Sequence, residues 1–271
     1  QGTFWVNLPD FGSSVGTLQL QRGVGTSTNG AGAFGASINL TTDRMSDAAY
    51  VQLSNSFGSF ATRKHTVMFS TGPISEQFEL SGRLSKIDSD GYIDRASSDL
   101  KSYFLQGIFR DGNTQIKALA FGGFERTYQS WFGIDETTLK TNRTYNPAGE
   151  NYDSEGNVIG FYEDQVDNYN QDHYQLHWQQ AFNTYWSLAL GLNYTYGRGY
   201  YQELNDIWYD QNVGFSGNTS ANYLQLPEAD ALDTENITQK WLDNDFYVAN
   251  LMAAFEKGTQ KLNLGFSYSN Y

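Results

Sequence analysis

The chain has 271 residues and no cysteine, with 30 acidic against 17 basic side chains and a formal net charge of -13. A disulfide framework, a Cys-ligated metal and a Cys nucleophile are therefore excluded, and a nucleic-acid backbone would be repelled over most of the surface. Aromatic side chains at 16% and hydrophobic ones at 39% exclude disorder, and no apolar run approaches the roughly 18 residues that a membrane helix needs.

Charged residues make up only 17% of the chain, against about 25% in ordinary soluble domains, a balance that suits a sheet with one apolar and one polar face. The first ten residues, QGTFWVNLPD, lack the basic and apolar segments of a secretory signal, so any export signal has been removed or lies outside this sequence. Residues 17–22 read as a strand. Residues 23–35 are too Gly-rich for a helix, and a strand resumes at 36–42. A glycine loop between strands raises the question of phosphate binding, but no Lys-Ser/Thr pair and no helix pattern follow it.

Beyond residue 47, period-2 alternation predicts nine strands. Weaker versions run through 51–57, 65–71, 103–109, 116–124 and 247–255. Stronger ones are Phe78, Leu80, Gly82 and Leu84 against Glu79, Ser81, Arg83 and Ser85; Tyr174, Leu176 and Trp178 against His173, Gln175 and His177; and Leu262, Leu264, Phe266 and Tyr268 against Lys261, Asn263, Gly265 and Ser267. The clearest is Trp186, Leu188, Leu190, Leu192, Tyr194 and Tyr196 against small or polar neighbours. Aliphatic residues fill its middle and aromatic ones its ends, the order expected of a lipid-facing band between two interfacial girdles.

The connections alternate in length. Gly72 to Glu76, Asp111 to Asn113, Phe182 to Thr184 and Lys257 to Thr259 are short, whereas insertions fall at about 132–168 and 201–245. Barrels of bacterial outer membranes have short periplasmic turns and longer outer loops. The two insertions hold eight acids with two bases and nine acids with one base, together a formal charge of -14. Either this keeps exposed loops soluble or it forms a cation-attracting vestibule.

Asp88 to Asp94 superficially resembles a calcium loop, but the twelfth position is Asp99 rather than Glu and helical flanks are absent, so a strand-exit turn is the better reading. His173 and His177 would lie about 13 Å apart on a strand, too far to share one ion, and read as polar residues of the inner face. No Ser-His-Asp arrangement can be defended, and catalysis is not expected. Near the outer strand ends, Tyr128, Trp131, Phe132, Trp208 and Tyr209 are candidate ligand contacts. For those still in strand register the alternative is an interfacial girdle, whereas Trp208 and Tyr209 lie well inside an insertion.

The N-terminal stretch, through Arg22, Gly23, Gly30, Gly32, Gly35, Ile38 and Asn39, resembles the end of the plug domain of TonB-dependent outer-membrane receptors, in wording closest to those of Bacteroidetes. Thr71-Gly72-Pro73-Ile74 resembles that family's first periplasmic turn, and Ser89-Asp90-Gly91-Tyr92 the exit from its third strand; Val24 and Asn29 depart from the common Pro and Tyr. The resemblance implies an all-β architecture: residues 1–43 as the C-terminal part of a plug and 44–271 as the N-terminal part of an antiparallel transmembrane barrel. It implies a 22-stranded barrel, of which an odd set of nine would be a fragment.

The implied function is active import of an extracellular ligand, with ferric siderophore as the usual cargo. The implied partners are the TonB complex, outer-membrane lipid and a small-molecule or oligomeric ligand; no nucleic acid, cofactor or metal is implied. Arg22, at the end of a plug strand, would need a partner inside the barrel, and Glu79 is the candidate for this latch. The rival readings are a passive porin or adhesin barrel, and a soluble glycan-binding β-sandwich in which the Trp186 to Tyr196 face packs against a second sheet.

Overall fold

The computed structural model describes residues 7–23, 35–42, 45–206 and 235–271. A 3₁₀ turn at Phe11–Ser14 precedes a two-stranded hairpin, β1 (Thr17–Arg22) and β2 (Ala36–Thr41). Then come β3 (Tyr50–Phe57), β4 (Arg63–Ser70), β5 (Phe78–Ser89), β6 (Ser98–Asp111) and β7 (Thr114–Tyr128). A short helix α1 (Glu136–Thr141) and a small hairpin, β8 (Glu150–Tyr152) with β9 (Val158–Phe161), interrupt the series. It resumes with β10 (Val166–Ala181), β11 (Trp186–Asn205), β12 (Asn236–Lys257) and β13 (Gln260–Asn270).

Nine strands form one antiparallel sheet in the order β3-β4-β5-β6-β7-β10-β11-β12-β13, each neighbour following the last along the chain. These are the nine that alternation predicts. The hairpin turns explain part of the register. Gly112 and Gly258 open two-residue loops with φ of 51° and 61°, the left-handed first position of a type II′ turn, whose twist matches the flanking strands. At the β10–β11 turn the Asn183 side chain accepts from the backbone N–H groups of Tyr185 and Trp186.

Because the side-chain period is two, the register sorts the sheet into faces. One face carries rows such as Phe78, Phe109, Ile116, Trp178, Leu190, Leu251 and Phe266, cross-strand neighbours in sequence. It is exposed: Leu264 is 57% accessible, Phe266 64% and Leu53 71%. Among the described residues no second sheet packs on the Trp186 to Tyr196 face, which removes the β-sandwich alternative.

The apolar rows end in rings on both sides. At one limit Trp186 lies 4.9 Å from Phe255, and at the other Tyr174, Tyr194 and Tyr247 stack in a row at 6.1 and 4.8 Å. Tyr194 lies eight positions after Trp186, about 26 Å along a strand and roughly 20 Å in height at the usual tilt of about 35–45°, which fits inside the roughly 25 Å apolar band of outer-membrane barrels. Beyond the tyrosine row the same face turns charged, through Lys86, Lys101, Arg126, Arg198 and Asp243.

The opposite face holds the core. Phe104, Leu119 and Phe121 are buried there, and Leu8 and Phe11 of the N-terminal segment pack against them. The Phe11 ring lies 4.8 Å from Phe121, and such a ring contributes about 1.5–3 kcal/mol when fully buried. Gly123 is required here, since a Cβ on it would come within 2.5 Å of the Pro9 ring.

Candidate functional site

Between the N-terminal segment and the polar face of β7, β10, β11 and β12 lies a trough of about 1090 Å³. Its wall is a hydrogen-bonded ladder that alternation along β10 and β11 points inward. Gln175 donates to Asn193 at 3.1 Å, and Asn193 donates to the Thr195 hydroxyl at 3.1 Å. Thr195 meets His173 Nδ1 at 2.9 Å, and His173 Nε2 meets the Gln171 carbonyl at 3.2 Å. The Gln171 carbonyl can only accept, so the proton of a neutral His173 sits on Nε2 and the Thr195 hydroxyl donates to Nδ1. The ring also stacks on Phe121 at 4.7 Å. His173 and His177 thus both line the trough as inner-face polar residues. The wall offers fixed amide and imidazole groups rather than a nucleophile with a base.

The N-terminal segment is locked to the sheet through Asp10. Its carboxylate meets Arg83 Nη1 at 2.9 Å and accepts from Lys64 and Ser85. Arg83 in turn donates to Ser14 at 2.8 Å and Ser102 at 3.0 Å. Both charges are buried, with side chains 1% exposed for Arg83 and 6% for Asp10. Burial alone would raise the Asp10 carboxyl; hydrogen bonds from Lys64, Ser13 and Ser85 and the charge of Arg83 outweigh it, and its pKa lies below the ordinary value. Asp10 sits at φ 55°, left-handed backbone that Asp tolerates better than most residues.

This is not the latch expected between Arg22 and Glu79. Glu79 is buried, but its carboxylate accepts from Ser46 N at 2.9 Å and Ser70 Oγ at 2.6 Å. Arg22 is exposed at the end of β1, and among the described residues no ion pair joins it to Glu79. A buried guanidinium on the polar face was the available signal. Arg83 needs a partner, whereas Glu79 is satisfied by neutral donors of its own surroundings.

Of the candidate ligand contacts, Tyr128, Trp131 and Phe132 fall outside the trough. Tyr128 is 7% exposed, and its hydroxyl lies 2.9 Å from the Ala148 carbonyl and 2.8 Å from that of Tyr162. Arg95 lies over the Phe161 ring at 3.5 Å and donates to the Tyr128 hydroxyl at 3.3 Å. Asn146, almost fully buried, donates to the carbonyls of Asp94 and Gln129. Tyr128 is therefore a strut in a knot that ties the 90–97 turn to the 129–165 insertion. Trp131 and Phe132 are exposed and stacked at 6.0 Å, at the foot of the insertion. Trp208 and Tyr209 lie outside the described residues, as do residues 24–34 of the glycine-rich segment. The Asp88 to Asp94 stretch is a strand exit, with Gly91 at φ 75°, where a Cβ would come to 2.2 Å from the Ala96 carbonyl oxygen.

Solved structures share this arrangement. The siderophore receptor PiuA from Acinetobacter baumannii matches 94% of this chain with a TM-score of 0.66 at 12% identity, over 35% of its own length. BauA, the ferric preacinetobactin receptor of the same species, matches 93% with a TM-score of 0.62 at 14% identity, over 35% of its length. Fiu, a ferric-catecholate import receptor from E. coli K12, matches 93% with a TM-score of 0.59 at 12% identity, over 38% of its length. The chain has the fold of part of these receptors. It spans about a third of the length of each. No protein-family model and no curated protein matches the sequence.

Within that receptor fold the second buried cluster, Tyr128, Ala148 and Val166, stiffens the base of an insertion that carries acidic residues. In its turn, Asp153 accepts from the backbone of Glu155 and Asn157, and in α1 Asp135 caps Thr137 and Thr138. Both carboxyls are held below their ordinary pKa: that of Asp153 first by the Asn157 side chain, and that of Asp135 first by the Thr138 hydroxyl.

Proposed function

We propose that the chain is part of a TonB-dependent outer-membrane transporter, with residues 1–43 as the end of its plug and 44–271 as the first part of its barrel. Its job is to bind an extracellular ligand, with a ferric siderophore as the leading cargo, and to import it to the periplasm through the TonB complex. No covalent catalysis is involved. The observation that carries this reading is the two-faced sheet: one face is a ring-bounded apolar band open to its surroundings, and the other is wedged with the N-terminal segment by Leu8, Phe11 and the Asp10–Arg83 pair. The similarity in fold to siderophore receptors supports the cargo class.

A passive porin or adhesin would have no use for a charge-locked segment across its lumen. The remaining strands of the complete receptor would pair with the free edges of β3 and β13, which otherwise present an aggregation-prone row of unpaired backbone groups. The test is deletion of the whole gene in its host, followed by growth on defined ferric siderophores under iron limitation. Loss of growth on at least one, restored by the intact gene, is expected. Unchanged growth on all of them, with the protein recovered in the soluble fraction, would contradict the proposal.

A further inference from the structure

Glu125 on β7 and Asp167 on β10 are diagonal neighbours on the trough wall, because Glu125 pairs in register with Tyr169 and Thr127 with Asp167. Such a diagonal sets Cβ atoms about 6–8 Å apart, a span that two carboxylates can close around a small group. Glu125 is 2% exposed, and its Oε2 atom is buried with no hydrogen-bond partner. An orphaned buried carboxylate is costly. The pair lies above the membrane band: Ala120 pairs with Tyr174 of the tyrosine row, and five further residues carry Glu125 about 16 Å outward.

The surroundings say what would fit. Among the described residues, Pro9 of the N-terminal segment lies against Gly123, two positions from Glu125, and both carboxylates line the trough. Lys240, on the same face of β12, is engaged with Glu203 at 2.7 Å. Tyr169 and Tyr201 flank the carboxylates, Tyr201 being the register partner of Asp167; Lys240 already lies 4.9 Å over the Tyr201 ring, so the aromatic face left beside the pair for an organic cation is that of Tyr169. Among the described residues no three His, Asp or Glu groups gather to hold a metal ion.

We propose that Glu125 and Asp167 form a subsite for an organic cation, a protonated amine or guanidinium group carried by the imported ligand. The proposal rests on the receptor reading, since it names a chemical feature of that ligand. The probe is agmatine, which carries both groups, titrated by calorimetry into the purified complete receptor in detergent. Saturable binding is expected, weakened at least about tenfold by E125Q and by D167N and unaffected by E155Q on an exposed turn. Both replacements are nearly isosteric and add no charge, so the melting temperature should hold; D167N carries the test alone should E125Q fail to fold.

Agmatine binding equally to wild type and variants, or no saturation up to about 10 mM, or equal displacement by calcium would overturn the subsite. Binding as expected in a receptor whose deletion leaves iron uptake intact would uphold the subsite and sink the siderophore reading. Uptake without agmatine binding would do the reverse.

Discussion

Arg83 is the residue on which the docking of the N-terminal segment turns. Its guanidinium serves Asp10, Ser14 and Ser102 at once from a site with 1% exposure. Removing one member of a buried pair strands the other, at a cost of about 3–5 kcal/mol. Arg83→Met should therefore speed hydrogen exchange of residues 7–14 by at least about 10²-fold while strands β10 to β12 stay protected. The same segment should respond to acid. Because the Asp10 carboxyl is depressed in the folded state, its stabilisation is complete above the ordinary carboxylate pKa of about 4 and is lost as pH falls through the lower folded value. After correction for intrinsic rates, exchange at 7–14 should rise only below about pH 4, and Asp10→Asn should remove that dependence. Tyr128 gives a contrasting test. Losing its hydroxyl leaves the carbonyls of Ala148 and Tyr162 and the Arg95 donor short of a partner. Tyr128→Phe should loosen the insertion by about 1–3 kcal/mol in proteolysis kinetics, whereas Trp131→Ala at its exposed foot should stay within about 0.5 kcal/mol.

At the scale of the strand, the two faces obey different rules. Leu190 lies mid-band, flanked in register by Trp178 and Leu251, while Gln175 on the other face lines the trough. Leu190→Arg should cost about 2–4 kcal/mol of folding free energy in lipid vesicles and Gln175→Arg far less; equal costs would mean that the faces are not distinguished by solvent. This division is also why so much of the fold was legible. Within the band, alternation between an apolar outer face and a polar inner one gives all nine strands and their short turns. Above it both faces meet water or loops, alternation fades, and the sequence understates β11 and β12, which run on through Arg198-Gly199-Tyr200-Tyr201 and from Asn236. Gly197 does carry a trace of this extension, since a Cβ there would meet the Tyr169 hydroxyl at 2.1 Å. The small β8–β9 hairpin and α1 were hidden inside an insertion read only for its charge, although Asp153 to Asn157 and the Asp135 cap are local turn and helix-start signals. The Asp10 lock was invisible because its partners lie more than 50 residues apart in sequence, and only coordinates bring Asp10 to Arg83 and Lys64.

For the whole molecule, everything depends on which side of the sheet meets hydrocarbon. The trough, the charge lock and the Glu125–Asp167 pair have meaning as transport parts only if the Trp186 to Tyr194 face borders lipid. Trp186 and Trp178 both lie on that face, next to Phe255 and Leu190 respectively. The decisive measurement is fluorescence quenching in the complete receptor reconstituted into bilayers, with Trp186 or Trp178 as the one remaining tryptophan. Lipids brominated along their acyl chains should quench both strongly while aqueous iodide leaves them bright; bright emission in brominated lipid together with quenching by iodide would contradict the account.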